Sequence, residues 1–400
     1  MMSAPTCVRP PGPVRPSDRI DSIDVLRGVA LLGVLAINLV MEFRVSIFEQ
    51  FLPAWQQHAG NPLDRAVVAI LMRAVDLKAF ALFSLLFGAG LAIQFEHLAA
   101  NPRRARLLFR RLIVLLVFGL LHLCLIWNGD ILTEYALAGL IVLPFLLGPR
   151  WLVAGGALTF LGVYLAMQLW PPPGLFPSLG AIELDVQQAN RIYATGGFGE
   201  VLKFRLGEIP LIIPLHVYMF PRTIGLFLLG AFAWRSGVLR KPHQRLLVST
   251  GAVCVGLGAL LVLAGAGDIL AAAGSSRLAT PLGTIVLALG YGATIVAAAN
   301  TARGKAWLGW AAPLGRMAFT NYLAQSVIFG WIFYGYGLGL FGRLGAAAAL
   351  AIGLAVYVAQ VMFSAWWLRR YRYGPIEWLW RTLMYGAWQP MSLAPLKPAA

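Results

Sequence analysis

A histidine, two asparagines and a few acids stand in stretches of this chain that are otherwise almost wholly apolar, and to these groups chemistry can be assigned. His122, between Leu121 and Leu123, can act as a general base when its second ring nitrogen is held, or can be a satisfied histidine of the core. Asp130 and Asp76 are the acids that could orient it, although Asp130 could equally be the N-cap of a following helix. Asn38 and Asn321 carry amides suited to positioning a carbonyl group or to bonding a neighbouring helix. Arg27, Arg110 and Arg111 offer guanidinium forks that match phosphate oxygens, and a plain excess of basic residues on one side of a membrane explains them as well. Two of these groups have local partners: Asp24 is three residues before Arg27, and Arg73 three before Asp76. The phosphate loop GxxxxGK[ST], the G-x-S-x-G elbow and HExxH are missing, so ATP- and metal-driven chemistry lack support. Cys7, Cys124 and Cys254 form no ligand spacing, and no metal is expected.

The elements that must carry these groups follow from composition. Of 400 residues 59% are hydrophobic and 12% charged, and the mean hydropathy is +0.75. Such a chain is an all-α polytopic transmembrane helix bundle. Apolar runs predict about ten spans, near 23–41, 66–95, 108–127, 131–148, 151–169, 209–234, 246–265, 281–300, 314–335 and 345–368. The second run is too long for one straight span, and in its middle Gly88-Ala89-Gly90 reads as close helix packing. At about 1.5 Å per residue, His122 lies some 16 Å beyond Arg111, and Asn38 the same depth beyond Arg27. With His216, Arg222, Asn321, Gln325 and Glu134, they fill the middle and outer layers from several helices, as a polar cavity requires and as scattered structural hydrogen bonds between helices would also give.

The net charge of +16 divides unevenly, with about 22 Lys and Arg on one side and about 7 on the other. Both termini are therefore expected in the cytoplasm, and no nucleic-acid partner is implied. Residues 1–19 read as a disordered basic cytosolic tail, 20–385 as a single transmembrane domain, and 386–400 as a second cytosolic tail. Within the domain an amino-terminal half spans about 20–235 and a carboxy-terminal half about 236–385. The longest loop, about 170–208, opens with Pro171-Pro172-Pro173-Gly174, could hold a surface helix near Glu183–Tyr193, and is expected on the extracytoplasmic side.

Several motifs carry a resemblance. Arg19-Ile20-Asp21-Ser22-Ile23-Asp24-Val25-Leu26-Arg27-Gly28 opens the first helix, and Lys78-Ala79-Phe80 leads the second motif to Gly88-Ala89-Gly90. Gly119-Leu120-Leu121-His122 with Trp127-Asn128-Gly129-Asp130 makes a third. Gly315-Arg316-Met317-Ala318-Phe319-Thr320-Asn321-Tyr322 and Tyr373-Gly374-Pro375-Ile376-Glu377-Trp378 complete the set. Together they resemble the YeiB-like bacterial membrane family, a domain of unknown function, over about 19–385.

That family is similar to the transmembrane acyltransferase superfamily, which includes heparan-α-glucosaminide N-acetyltransferase. The likeness implies an inner-membrane acyltransferase that moves an acetyl or short acyl group from cytosolic acyl-CoA to a glycan, lipid or small acceptor. Asn38 falls at the position of an active-site Asn, but the superfamily's catalytic His would fall at Glu49. His58, another loop residue or His122 then has to supply the base. The expected set is His122 as base, helped by Asp130 or Asp76, Asn38 and Asn321 on the acyl carbonyl, and Arg27 with Arg110 or Arg111 on the CoA phosphates. The rival expectation is a transporter or flippase for an anionic metabolite or lipid, with Arg73, Lys78 and Arg222 as counter-charges. The expected partners are the lipid bilayer, acyl-CoA and an acceptor, and a homodimer is left open.

Overall fold

The structure is a computed structural model that describes residues 21–52, 61–240, 243–266 and 276–393. The amino-terminal tail and His58 lie outside the described residues, as does the end of the carboxy-terminal tail. Among the described residues the chain is helical throughout, with a lone bridge between Tyr371 and Ser392. It is an all-α polytopic bundle of a multi-pass membrane protein. Among the described residues, seven helices are long and apolar enough to cross a membrane.

Helix α1 (Asp21–Asn38) is the most enclosed of these and runs on into a π-helical turn, Leu39–Phe43. Next come α2 (Pro62–Ile70), α3 (Lys78–His97), α4 (Arg104–Leu121), α5 (Leu132–Leu147) and α6 (Arg150–Leu169). The predicted second run is broken between α2 and α3. A π-turn, Leu71–Val75, ends at Asp76, and Leu77 takes the left-handed region at φ 59° before α3 starts. A bulky residue held there is costly and marks a spot over-determined by its neighbours.

The predicted long loop contains α7 (Leu179–Thr195), started by Ser178, whose hydroxyl accepts from Ala181 N. Helix α8 (Phe198–Arg235) begins eleven residues before the expected 209 and has 38 residues, about 57 Å of length. A hydrocarbon core takes only about 30 Å, so its first half stands outside and α7 packs on it. Then follow α9 (Gln244–Ala266), α10 (Ser276–Ala299), α11 (Ala302–Leu308), α12 (Ala311–Arg316), α13 (Ala318–Phe333), α14 (Ala346–Leu368) and α15 (Pro375–Tyr385). Helices α9 and α10 pair mainly with each other, and α9 leaves most of its apolar surface facing outward.

Close crossings need residues without a side chain. A Cβ on Gly88 of α3 would lie 1.9 Å from Phe227 O of α8, and one on Gly230 would lie 2.0 Å from Leu85 O. Gly28 and Gly315 do the same where α1 meets α12, so the glycine of the first-helix motif serves packing. Gly90, by contrast, meets nothing and faces a cavity.

Candidate functional site

Three π-helical turns gather at one level of the bundle, and each presents a polar residue. Asn38 precedes the first, Asp76 ends the second, and His122 starts the third, His122–Ile126. Such turns widen the helix and free backbone groups, and they occur often at functional sites. After the third, Trp127 swings to an extended conformation and stacks on Phe43 with ring centroids 4.4 Å apart. That contact ties the His122 turn to the end of α1.

His122 is 1% exposed, and its Nδ1 lies 2.8 Å from Asp130 Oδ1. Asp130 makes both contacts, because its Oδ2 also accepts from Thr133 N at 2.7 Å at the start of α5. With Nδ1 held by the carboxylate, Nε2 is the free acceptor, and it has no hydrogen-bond partner. The ring lies 5.3 Å from that of Tyr322 on α13.

Asn38 is buried and its Oδ1 lacks a partner. One turn on, Glu42 points at the Gly129 backbone, where a Cβ would come 2.7 Å from Glu42 Oε2, and it faces Asp76 closely enough for the two acids to repel. Asp76 does not pair with Arg73. Arg73 is exposed and donates to Ala69 O, whereas Asp76 faces Lys78 and Arg222. Those two cations hold the break between the helices, Lys78 Nζ through Met72 O at 3.2 Å and Arg222 Nη2 through Leu77 O at 2.5 Å. Glu134 is taken up by His216 at 2.7 Å and by Thr223, which fixes α5 to α8.

Asn321 lies elsewhere. Its amide donates to Met317 O at 3.0 Å and to Ser364 Oγ at 2.9 Å, and Gln360 with Gln325 extends the chain of bonds between α13 and α14. It does not line the cavity described next, and its bonds lock two helices together. Arg110 is exposed against Gly386 and is likewise outside the cavity.

The cavity measures about 310 Å³ and starts at the arginine-rich end of the bundle, among Arg27, His97, Arg316 and Arg381. Arg27 also pairs with Asp24 at 3.0 Å. Arg111 reaches the wall, donates to Gln94, and lies over the Trp380 ring at 4.5 Å. From Gln94 to Phe83 the cavity follows α3 for eleven residues, about 16 Å, between Leu31, Phe87, Leu115 and Phe319. It ends at Ile131, Tyr135 and Tyr322. Tyr322 is thus the shared wall, with the cavity on one side and His122 on the other. Glu377 braces the mouth by accepting from Phe319 N, Thr320 N and the Thr320 hydroxyl, which caps α13 from α15.

Sequence reasoning quoted Arg316, Tyr322, Glu377 and Arg381 within motifs without giving them a role, and it did not single out Glu42. Glu42 had a usable signal, since four residues after Asn38 it repeats on the same helical face. The other four come from segments far away in the chain, and only the closed bundle brings them to the cavity.

Relatives of the chain are known over nearly its whole length. The profile of the family described as protein of unknown function, DUF418, matches residues 233–387. The chain is 33% identical to the uncharacterized protein YxaH of Bacillus subtilis (strain 168), over 95% of this chain and 98% of the relative. It is 31% identical to the uncharacterized protein YeiB of Escherichia coli (strain K12), over 93% and 98%. A 39.9 kDa protein from the amylase 3' region of Bacillus acidopullulyticus is 27% identical over 95% and 98%. The chain belongs to the YeiB-like DUF418 family of helical membrane proteins.

Proposed function

We propose that the protein is an acyltransferase of the bacterial inner membrane that uses cytosolic acyl-CoA. One observation carries the reading: an arginine-lined mouth leads through an apolar stem to Tyr322, directly behind which stands a histidine with its Nδ1 on a buried carboxylate. Arg27, Arg111, Arg316 and Arg381 would face the CoA phosphates. The apolar stem would take the pantetheine arm, and turning of the Tyr322 side chain would join the cavity to His122. His122 Nε2 then takes the proton from an acceptor hydroxyl or amine as that group attacks the thioester carbonyl. The carbon–sulfur bond breaks, and the imidazolium returns the proton to the CoA thiolate. Asp130 keeps Nδ1 protonated, and the Asn38 amide would position the acyl carbonyl.

The test is incubation of the purified protein with radiolabelled acetyl-CoA and a panel of hydroxyl and amine acceptors, reading free CoA and labelled product. His122→Ala should remove most turnover, about 10²–10⁴-fold, while acetyl-CoA binding persists. Near-normal turnover in that variant would retire the assignment. The transport reading draws on the broken helix at Leu77 with Lys78 and Arg222 beside it. It would gain if proteoliposomes moved an anion without any consumption of acyl-CoA.

A further inference from the structure

The two glycines of Gly88-Ala89-Gly90 have different neighbours, and the second bears on what the arginine-mouthed cavity can hold. Gly88 is closed off by Phe227 of α8, whereas a Cβ at Gly90 would meet no atom and would project into the cavity. Gly90 stands one turn deeper than Gln94 on the face of α3 that lines the stem, so its missing side chain keeps the stem open toward Phe83. The walls around it are hydrocarbon, from Leu31, Val34, Leu115 and Phe319. At the far end the Tyr135 hydroxyl is bonded to Ser84 Oγ at 2.9 Å and donates to Phe80 O at 3.1 Å, and its ring meets that of Phe227 edge-on. Tyr135 is therefore a fixed floor.

The mouth has the opposite character. Arg27, Arg111, Arg316 and Arg381 line it against one acid, Glu377, among the described residues of the lining, and the Glu377 oxygens already accept from Phe319 N, Thr320 N and the Thr320 hydroxyl. Asp24 offsets Arg27. Arg111 has a neutral amide, Gln94, and a ring, Trp380, beside it, and Arg381 and Arg27 stand close enough to repel it. A cleft lined by charges of one sign concentrates the opposite ion.

A cationic ring above a hydrocarbon well is complementary to an amphiphile. An extended chain advances about 1.2 Å per bond, so a stem of about 16 Å takes about twelve or thirteen carbons. We infer that the cavity binds an anion carried on one unbranched alkyl chain of that length, its head at Arg111 and Arg381 and its tail ending on Tyr135 and Ile131. A fatty-acid carboxylate and an alkyl phosphate offer the same chemistry. The inference rests on the shape and charge of the cavity and needs no acyl transfer. Where the cavity also takes acyl-CoA, the amphiphile displaces the pantetheine arm and inhibits.

The experiment titrates radiolabelled dodecanoate against the full-length protein in phosphatidylcholine nanodiscs, with binding to empty nanodiscs subtracted and affinities referred to the free concentration. Binding should saturate. Affinity should rise about fourfold per methylene from octanoate to dodecanoate and stop rising by hexadecanoate, because carbons beyond the floor have no stem to enter. Dodecanol should compete about tenfold more weakly than dodecanoate or worse, and Arg111→Gln should remove most of that difference. Gly90→Leu fills the stem without displacing a neighbour and should weaken dodecanoate about tenfold or more at an unchanged Tm. Tighter binding of dodecyl phosphate than of dodecanoate identifies a phosphate amphiphile as the ligand, and the reverse order a fatty acid. An affinity that climbs by the same step through hexadecanoate is partition into lipid and overturns the inference, as does equal competition by dodecanol; both comparisons use the parent protein and decide the matter even if a variant fails to fold. Saturable dodecanoate binding in a protein without acetyl-CoA turnover would uphold this inference and retire the acyltransferase reading alone.

Discussion

Asp130→Asn separates the two tasks of one side chain. Asn is as good an N-cap as Asp, so its side-chain oxygen can keep the bond from Thr133 N, and α5 keeps its start. The amide nitrogen then faces His122 Nδ1 and donates to it, which forces the proton onto Nε2. An imidazole with its proton on Nε2 cannot accept one from an acceptor. The stability lost is the bond between histidine and a charged carboxylate, about 1.5–3 kcal/mol, which a bundle of this size should survive. The catalytic loss is far larger: the same exchange in a Ser-His-Asp triad lowers kcat by about 10⁴. The assay is free-CoA release from acetyl-CoA with the acceptor found active for the parent protein, with binding of acetyl-CoA measured alongside. The expected result is a fall in turnover of about 10²–10⁴ with an unchanged Kd. Turnover within a few-fold of the parent, in a variant that folds, would refute a base role for His122.

Other consequences can be checked separately. Gly88→Ala puts a Cβ 1.9 Å from Phe227 O, where only a shift of α3 against α8 can relieve it, so the Tm should fall by the equivalent of about 1–3 kcal/mol; an unchanged Tm would show that the crossing is loose. Arg111→Gln removes the bond to Gln94 and the stack on Trp380 at the cavity wall, and KM for acetyl-CoA should rise about tenfold with kcat little altered. A fall in kcat alone would mean that this arginine holds no phosphate. Burial pushes the Asp185 carboxyl up to about 6, so the folded state binds that proton more tightly than the unfolded chain does. The stabilisation is complete below the ordinary carboxylate value and is lost as pH rises through about 6. The Tm of Asp185→Asn should therefore gain on that of the parent between pH 5 and about 7.5, in ligand-free protein, and parallel curves would contradict it.

The residues themselves disclosed part of the site. Asp130 was legible twice over, as an acid within reach of His122 and as a cap, because both roles depend on neighbours within eight residues. The pairing of Arg73 with Asp76 was legible in the same way and did not form. Spacing of three residues brings side chains together only on an intact helix, and here the chain leaves the helix at Asp76 and Leu77. Asn321 looked like a ligand-facing amide because a polar group in an apolar run is costly wherever it points. Its direction depends on Ser364 and Gln360, residues of another helix, and no local pattern announces them.

Composition and hydropathy alone determined that this chain is a helical membrane protein with its ionisable groups at depth, because hydrocarbon forbids an unpaired backbone and makes every buried charge expensive. They also limited the chemistry to what a few histidines, acids, amides and arginines can do. The tertiary structure alone decided which of those groups meet. Tyr322 comes between His122 and the cavity, Glu377 reaches from α15 to cap α13, and Asp185 faces Glu208, because helices without a strong hydrophobic bias toward one another are placed by small-residue crossings and interhelical hydrogen bonds. Those contacts join residues separated by tens to hundreds of positions, and the period of a helix carries no information about them.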